Sequence, residues 1–268
     1  MGSSVVTVYQ CPEYSVLYQD KPYHKYWRLH KDGREEKIKG VTTISDMLDK
    51  SKNLIPWATE LTADYIIRLI PDILAGKIIL TPEDAKKVFN DARTEHDRVL
   101  KEAGDYGTLI HKTIEQYIKA KYLGIGTSPR GLSEPVARSL DSFKQLIKVI
   151  GLTRIIASEK IMYSPQWNIG GTVDIVAEIN GRIEILDLKT SKGFYDSQFI
   201  QVSAYREMWN ELNKEKAEGI RIVRIDKKPP YLPYQKDFTA IQDPAFMVFL
   251  GLLEVAELKE SIAKILKK

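Results

Sequence analysis

A single cysteine, Cys11, in 268 residues leaves no intrachain disulfide possible. It also excludes thiolate zinc sites and iron–sulfur clusters, which need several sulfur ligands, and the disulfide-built secreted scaffold. No Gly-x-x-x-x-Gly-Lys-Ser/Thr loop occurs, so a P-loop motor is excluded. No continuous apolar run reaches the roughly 18 residues that span a bilayer. The opening Met1-Gly2-Ser3-Ser4-Val5-Val6 lacks the basic and apolar regions of a signal peptide. The expectation is an intracellular, reducing compartment and no membrane. Low-complexity tracts and internal repeats are also missing. Neither sign of charge dominates: 40 Lys and Arg against 36 Asp and Glu give a net charge of +4. That surplus tolerates a polyanionic partner without requiring one.

What is present is an ordinary globular composition, with 43% hydrophobic residues and enough length to bury a sizeable core. The first fifty residues read as β-rich, with Lys31-Asp32-Gly33 as a hairpin turn and Thr43 as the cap of a helix running through Leu48. Trp57, Leu61, Tyr65 and Leu69 recur every four residues, predicting a helix that ends near Pro71. Thr81-Pro82-Glu83-Asp84 is a strong helix start, and that helix is expected to break at Gly104-Asp105. Leu109, Ile110, Ile114, Tyr117 and Ile118 predict a third helix; Val136, Leu140, Phe143 and Ile147 predict a fourth. The period then changes to that of strands over 155–163, 171–179 and 182–188, with Asn180-Gly181 as a two-residue turn. Helix 199–209, strand 220–225, a further strand over 232–238 and a closing helix from Asp243-Pro244 complete the chain. This order implies an α/β fold with a mixed central sheet flanked by helices. Residues 1–54 are expected as a β-rich accessory region and 55–268 as the main domain, with a helical insertion over 55–150.

Two acids interrupt the apolar strands. Asp174 sits in Val173-Asp174-Ile175-Val176, and Asp187 in Ile185-Leu186-Asp187-Leu188, followed by Lys189. A carboxylate in such a run is costly unless paired or bound to a metal. The tight turn pairs the strands antiparallel and brings Asp174 toward Asp187, while Asp187 and Lys189, two apart, share a face. Converging carboxylates suit Mg2+ or Mn2+, and a lysine beside them suits holding water and stabilising charge on phosphate. Glu159, on the preceding strand, is a third acid able to bind metal directly or through water. His111 and Glu115, four apart on a helix, share a face and add an imidazole and a carboxylate. Gln201 and Tyr205 have the same spacing on the helix after Lys189, and Thr190, Ser191 and Lys192 at the strand exit suit contacts to a backbone phosphate. Trp57, Tyr65, Phe194 and Tyr195 are candidates for stacking on bases, and Arg138, Lys144 and Lys148 for a phosphate-binding stripe.

Taken together, Gly107-x-x-x-His111, Glu159, Gly171-x-x-Asp174, Asp187-x-Lys189 and Gln201-x-x-x-Tyr205 resemble, in that order, the PD-(D/E)xK nuclease superfamily and its RecB-type exonucleases. Val41-Thr42-Thr43-Ile44 and Trp57 are similar to the start of that group. The resemblance implies a restriction-endonuclease-like core. It implies His111, Asp174, Asp187 and the Leu188 carbonyl as metal ligands, Lys189 as catalytic with Asp174, Asp187 and Glu159, and Gln201 and Tyr205 as supports of site and substrate. Glu115, Thr190, Ser191 and Lys192 join them on the substrate side. It further implies degradation of linear, preferentially single-stranded DNA from an end, in recombination, repair or replication, with a separate helicase or recombination protein as a partner. Asp187 stands where many relatives carry glutamate. A structure-specific or restriction-type endonuclease uses the same core, and a catalytically silent nucleic-acid-binding module is the reading from another class.

Overall fold

The computed structural model describes residues 5–20 and 24–267. It divides into two compact units, Met1–Met47 with Ile110–Lys268, and Leu48–Leu109. In the first, strands β1 (Val5–Gln10), β2 (Tyr14–Gln19), β3 (Lys25–His30) and β4 (Glu35–Gly40) form an antiparallel meander. Its β3–β4 turn is the expected one, with Gly33 at φ +82. Val16, Tyr18, Tyr26 and Ile38 bury one side of the meander against Tyr163. A short helix α1 (Val41–Ser45) follows directly, anchored by buried Val41 and Ile44. Gly40 precedes it in extended conformation, so Thr43 lies inside the helix and does not cap it.

After the helices come α4 (Glu134–Val149), β5 (Leu152–Ser164), β6 (Ile169–Ile179), β7 (Arg182–Lys189), α5 (Asp196–Leu212), β8 (Gly219–Ile225), β9 (Pro233–Asp237) and α6 (Gln242–Leu266). Among the described residues the strands form one nine-stranded mixed sheet, in the order β1-β2-β3-β4-β6-β7-β8-β9, with β5 paired to β6. The fold is the mixed α/β class that the element order predicts. The N-terminal strands, expected as an accessory region, are continuous with this sheet through the parallel pairs Lys39–Ile169 and Gly40–Gly170. Asn180 and Gly181, at φ +50 and +81, form the turn between β6 and β7. Both values are those a two-residue hairpin demands.

The second unit is helical. Helix α2 (Ser51–Leu74) runs three residues past Pro71. Pro71 gives up its own N–H bond and crowds the carbonyl one turn back, but its own carbonyl still accepts from the Ala75 N–H at 3.0 Å. Helix α3 (Pro82–Tyr122) begins in this unit and continues as one helix, without the break expected at Gly104-Asp105. A glycine in a helix costs about 1 kcal/mol relative to alanine, too little by itself to end a helix of this length. The start is as read: the Asp84 N–H donates to Thr81 Oγ1, and the Thr81 hydroxyl and N–H donate back to the Asp84 carboxylate. Glu95, almost wholly buried, accepts from Arg98 and Arg68, which hold its carboxyl down at about 2.

Thr239–Leu266 is long and apolar enough to cross a membrane by length and composition, its most apolar 18-residue stretch having a mean hydropathy of 1.3, although acidic residues and lysines interrupt the segment. About a third of its most apolar stretch is buried. Ala245, Phe249, Leu253 and Ala256 form the buried stripe of α6, which packs on α5. Met247, Val248, Val255, Leu258 and Ile262 remain exposed.

Candidate metal centre

The centre lies where two neighbours release β6. On one edge of β6, β5 pairs along the whole strand. On the other, β4 pairs only at Ile169 and Gly170, and β7 only from Ile175 to Ile179. Residues 171–174 are left between the two. At the β7 end the ladder stops at Ile175–Leu186, and the Leu188 N–H donates instead to Asp174 Oδ2 at 2.8 Å. A backbone donor is thus satisfied by the side chain that the fork exposes.

Three donors converge there. A nitrogen of His111 and carboxylate oxygens of Glu159 and Asp174 all lie within 4.8 Å of one another. His111 Nδ1 stands 3.7 Å from Asp174 Oδ2, and the imidazole also hydrogen-bonds to the Leu188 backbone. Glu159 reaches the group from β5 with a left-handed backbone, φ +50, unusual for a residue carrying Cβ. Pairs Ser158–Ile175 and Lys160–Val173 flank it, which sets Glu159 across from Asp174. His111, Glu115, Glu159, Asp174 and Leu188 border a recess of about 10 Å³, room for one water or one bare ion. Ser158 also borders it, and its Oγ is buried without a hydrogen-bond partner among the described residues.

Beside this group Lys189 is held from two sides. Its Nζ lies 2.7 Å from Asp187 Oδ2 and donates to Gln201 Oε1 at 3.2 Å. Gln201 Nε2 donates to Tyr205 Oη at 2.9 Å and to Thr42 Oγ1 at 3.0 Å. Asp187 is only 2% exposed. Its Oδ2 makes an ion pair with the lysine but no aligned hydrogen bond among the described residues.

The electrostatics follow from burial. Desolvation pushes the Glu159 carboxyl up to about 8, helped by the charges of Asp174 and Glu115. Burial raises Asp187 to about 6 against the opposing pull of Lys189, and raises Asp174 as well. Burial and the Lys189 charge push His111 down to about 4, so its imidazole is neutral at physiological pH. Burial works against the Lys189 cation, but Asp187 and Asp174 outweigh it and keep the lysine protonated. Crowded acids with raised pKa values and a neutral imidazole around an ion-sized space fit a divalent cation: it would supply the charge that these oxygens lack.

The remaining predicted residues separate into two groups. Glu115 borders the recess and is ion-paired to Lys119. Ser191 is committed to the loop: its hydroxyl donates to the Gly193 carbonyl and accepts from Gln198. Thr190 is half-buried beside Lys189, and Lys192 is exposed. Of the proposed stacking aromatics, Phe194 packs on Phe238, Tyr195 is exposed, and Trp57 and Tyr65 belong to the helical unit. Arg138 and Lys144 are ion-paired to Glu134 and Asp141. Thr42, whose hydroxyl accepts from Gln201 Nε2, is the neighbour of this group to which the sequence alone assigns no part. It was visible only as part of Val41-Thr42-Thr43-Ile44, with no chemistry attached to its hydroxyl.

No family model matches the chain, and no curated protein does. Among solved structures it is similar to an alkaline exonuclease from Laribacter hongkongensis, at 13% identity over 57% of this chain and 86% of that one, with a TM-score of 0.27. It is also similar to SSO0001, at 14% identity over 53% and 74%, with a TM-score of 0.26. Likenesses this loose say nothing about the side chains of the centre.

Proposed function

We propose that this chain is a divalent-metal-dependent nuclease that hydrolyses phosphodiester bonds in DNA, acting from free ends and preferentially on single strands. The observation that carries the reading is the convergence of His111, Glu159 and Asp174 within 4.8 Å at the strand fork, with the Asp187–Lys189 pair alongside. The motif order from Gly107 to Tyr205 supports DNA as the substrate and an end as the starting point. His111, Glu159 and Asp174 would hold Mg2+ or Mn2+, with Asp187 and the Leu188 carbonyl completing the set. Bound there, the cation acidifies water and offsets charge on the scissile phosphate.

The chain's own residues do the rest. Lys189 has three N–H donors. Gln201 accepts from one and Asp187 pairs with the charge, which leaves N–H groups for the attacking water or a phosphate oxygen. Because the lysine stays protonated, it is a fixed positive charge and not the base. Glu159, whose burial favours the neutral form while the site is empty, would be held ionised as a ligand once the cation is bound. Glu115, which borders the recess, and Thr190 and Lys192, which follow Lys189 in the chain, are assigned to the sugar–phosphate backbone of the substrate.

The test is digestion of end-labelled single- and double-stranded oligonucleotides with Mg2+ or Mn2+, beside covalently closed circles and an EDTA control. Stepwise loss from ends, abolished by chelator, is expected. Cutting of circles would make the enzyme an endonuclease, and undiminished cutting in EDTA would end the metal reading.

A further inference from the structure

Lys189 offers only donors, so Gln201 must turn its carbonyl oxygen toward it, as it does at 3.2 Å. That orientation sends both Nε2 hydrogens the other way, where each needs an acceptor. Tyr205 Oη accepts one at 2.9 Å and Thr42 Oγ1 the other at 3.0 Å. Thr42 comes from α1, 159 residues away in sequence, at the point where β4 leaves the sheet. Tyr205 is fixed by packing: its ring lies over Gly171, where a Cβ would come within 2.7 Å of it. Its hydroxyl and that of Thr42 lie 3.5 Å apart. Without the Thr42 acceptor the amide loses one of the three contacts that set which end faces Lys189, and the alternative orientation gains population. A nitrogen facing Lys189 repels it.

We propose that Thr42 is a positioning residue for Lys189: by accepting the second Nε2 hydrogen of Gln201, it fixes the amide so that its oxygen faces the ammonium group. The inference rests on the nuclease reading of the same site. Thr42 is exposed, so replacing its hydroxyl with a methyl of the same shape leaves the packing untouched.

The experiment compares Thr42→Val and Thr42→Ser in the full chain, using a labelled single-stranded oligonucleotide at saturating Mg2+, together with the side-chain amide resonances of Gln201 by nitrogen-15 NMR. Thr42→Val is expected to lower kcat about tenfold with KM within about twofold, a loss of orientation expressed only in the reacting state. Thr42→Ser, which keeps the acceptor, is expected to restore parental kcat. The Gln201 amide resonances should move in the valine variant and stay in place in the serine variant. Parental kcat in Thr42→Val, or equal loss in both variants, would overturn the proposal. If the parent cleaves no DNA, the nuclease reading fails by itself and the resonances still decide: shifts confined to valine uphold the contact, and unmoved resonances overturn it.

Discussion

At the scale of single residues, the centre is a set of charges that burial makes costly. Lys189 is the counter-charge of both Asp187 and Asp174, and removing it leaves two buried acids without one, a loss of about 3–5 kcal/mol. Lys189→Ala is therefore expected to cost both stability and cleavage, with kcat falling by roughly 10²–10³. Lys189→Ala combined with Asp187→Asn should regain part of the stability, since only Asp174 then lacks its counter-charge, and none of the activity. Urea denaturation beside a cleavage assay separates the two; a double variant that recovers cleavage would contradict the role given to the lysine. Glu159 gives a pH test. Its carboxyl, ordinarily near 4.5, is pushed up to about 8 by burial and by Asp174. Its folded value is the higher one, so the stability tied to its neutral form is fully present below about 4.5 and lost as pH rises through about 8. A bound cation favours the ionised form and should reverse that trend. Metal affinity is thus expected to increase from pH 6 to pH 8, and thermal melts with and without Mn2+ should diverge as pH rises. A Glu159→Gln variant showing the parent's full pH dependence would sink this assignment.

At the scale of elements, the centre depends on strands that stop early and on glycines that let rings cross them. Tyr26 lies across β6 at Gly170, where an added Cβ would sit 2.4 Å from its ring, and its hydroxyl meets Thr172 Oγ1 at 2.9 Å. Gly170→Ala is expected to displace the ring and cost about 1–3 kcal/mol by overpacking. A chemical-denaturation midpoint equal to the parent's would show that the ring has room to move. This scale also shows what was legible beforehand. Asp174 and Asp187 stood out because an acid in an apolar strand violates the pattern around it, and Asn180-Gly181 fixed how their strands meet. His111 and Glu115 followed from helical spacing. The unbroken α3 was not legible, because Gly104-Asp105 has the composition of a break while its cost of about 1 kcal/mol is too small to make one. The left-handed backbone of Glu159 carries no mark in composition. The meeting of Thr42 with Gln201 depends on where β4 ends beside β6, a parallel pairing that no turn residue announces.

At the scale of the whole molecule, charge sets how tightly a polyanion is held. The surplus is four positive charges, and many of the cations are committed: Arg221 and Arg182 to Glu184 and Asp237, Arg206 to Glu207 and Asp243, Arg154 to Glu178 and Glu215. A chain of this kind neutralises few phosphates at once. With about three or four neutralised on a single strand, the slope of log affinity against log salt is roughly −2 to −3, a loss of about 20- to 50-fold between about 50 and about 200 mM salt. The expectation applies to binding measured in Ca2+, which occupies oxygen sites without the small, rigid geometry of Mg2+. Fluorescence anisotropy of a labelled single-stranded oligonucleotide across that range reads the slope directly. A slope near zero would mean that the chain does not grip phosphates. A slope several times steeper would mean that far more phosphates are neutralised at once than the small charge surplus suggests.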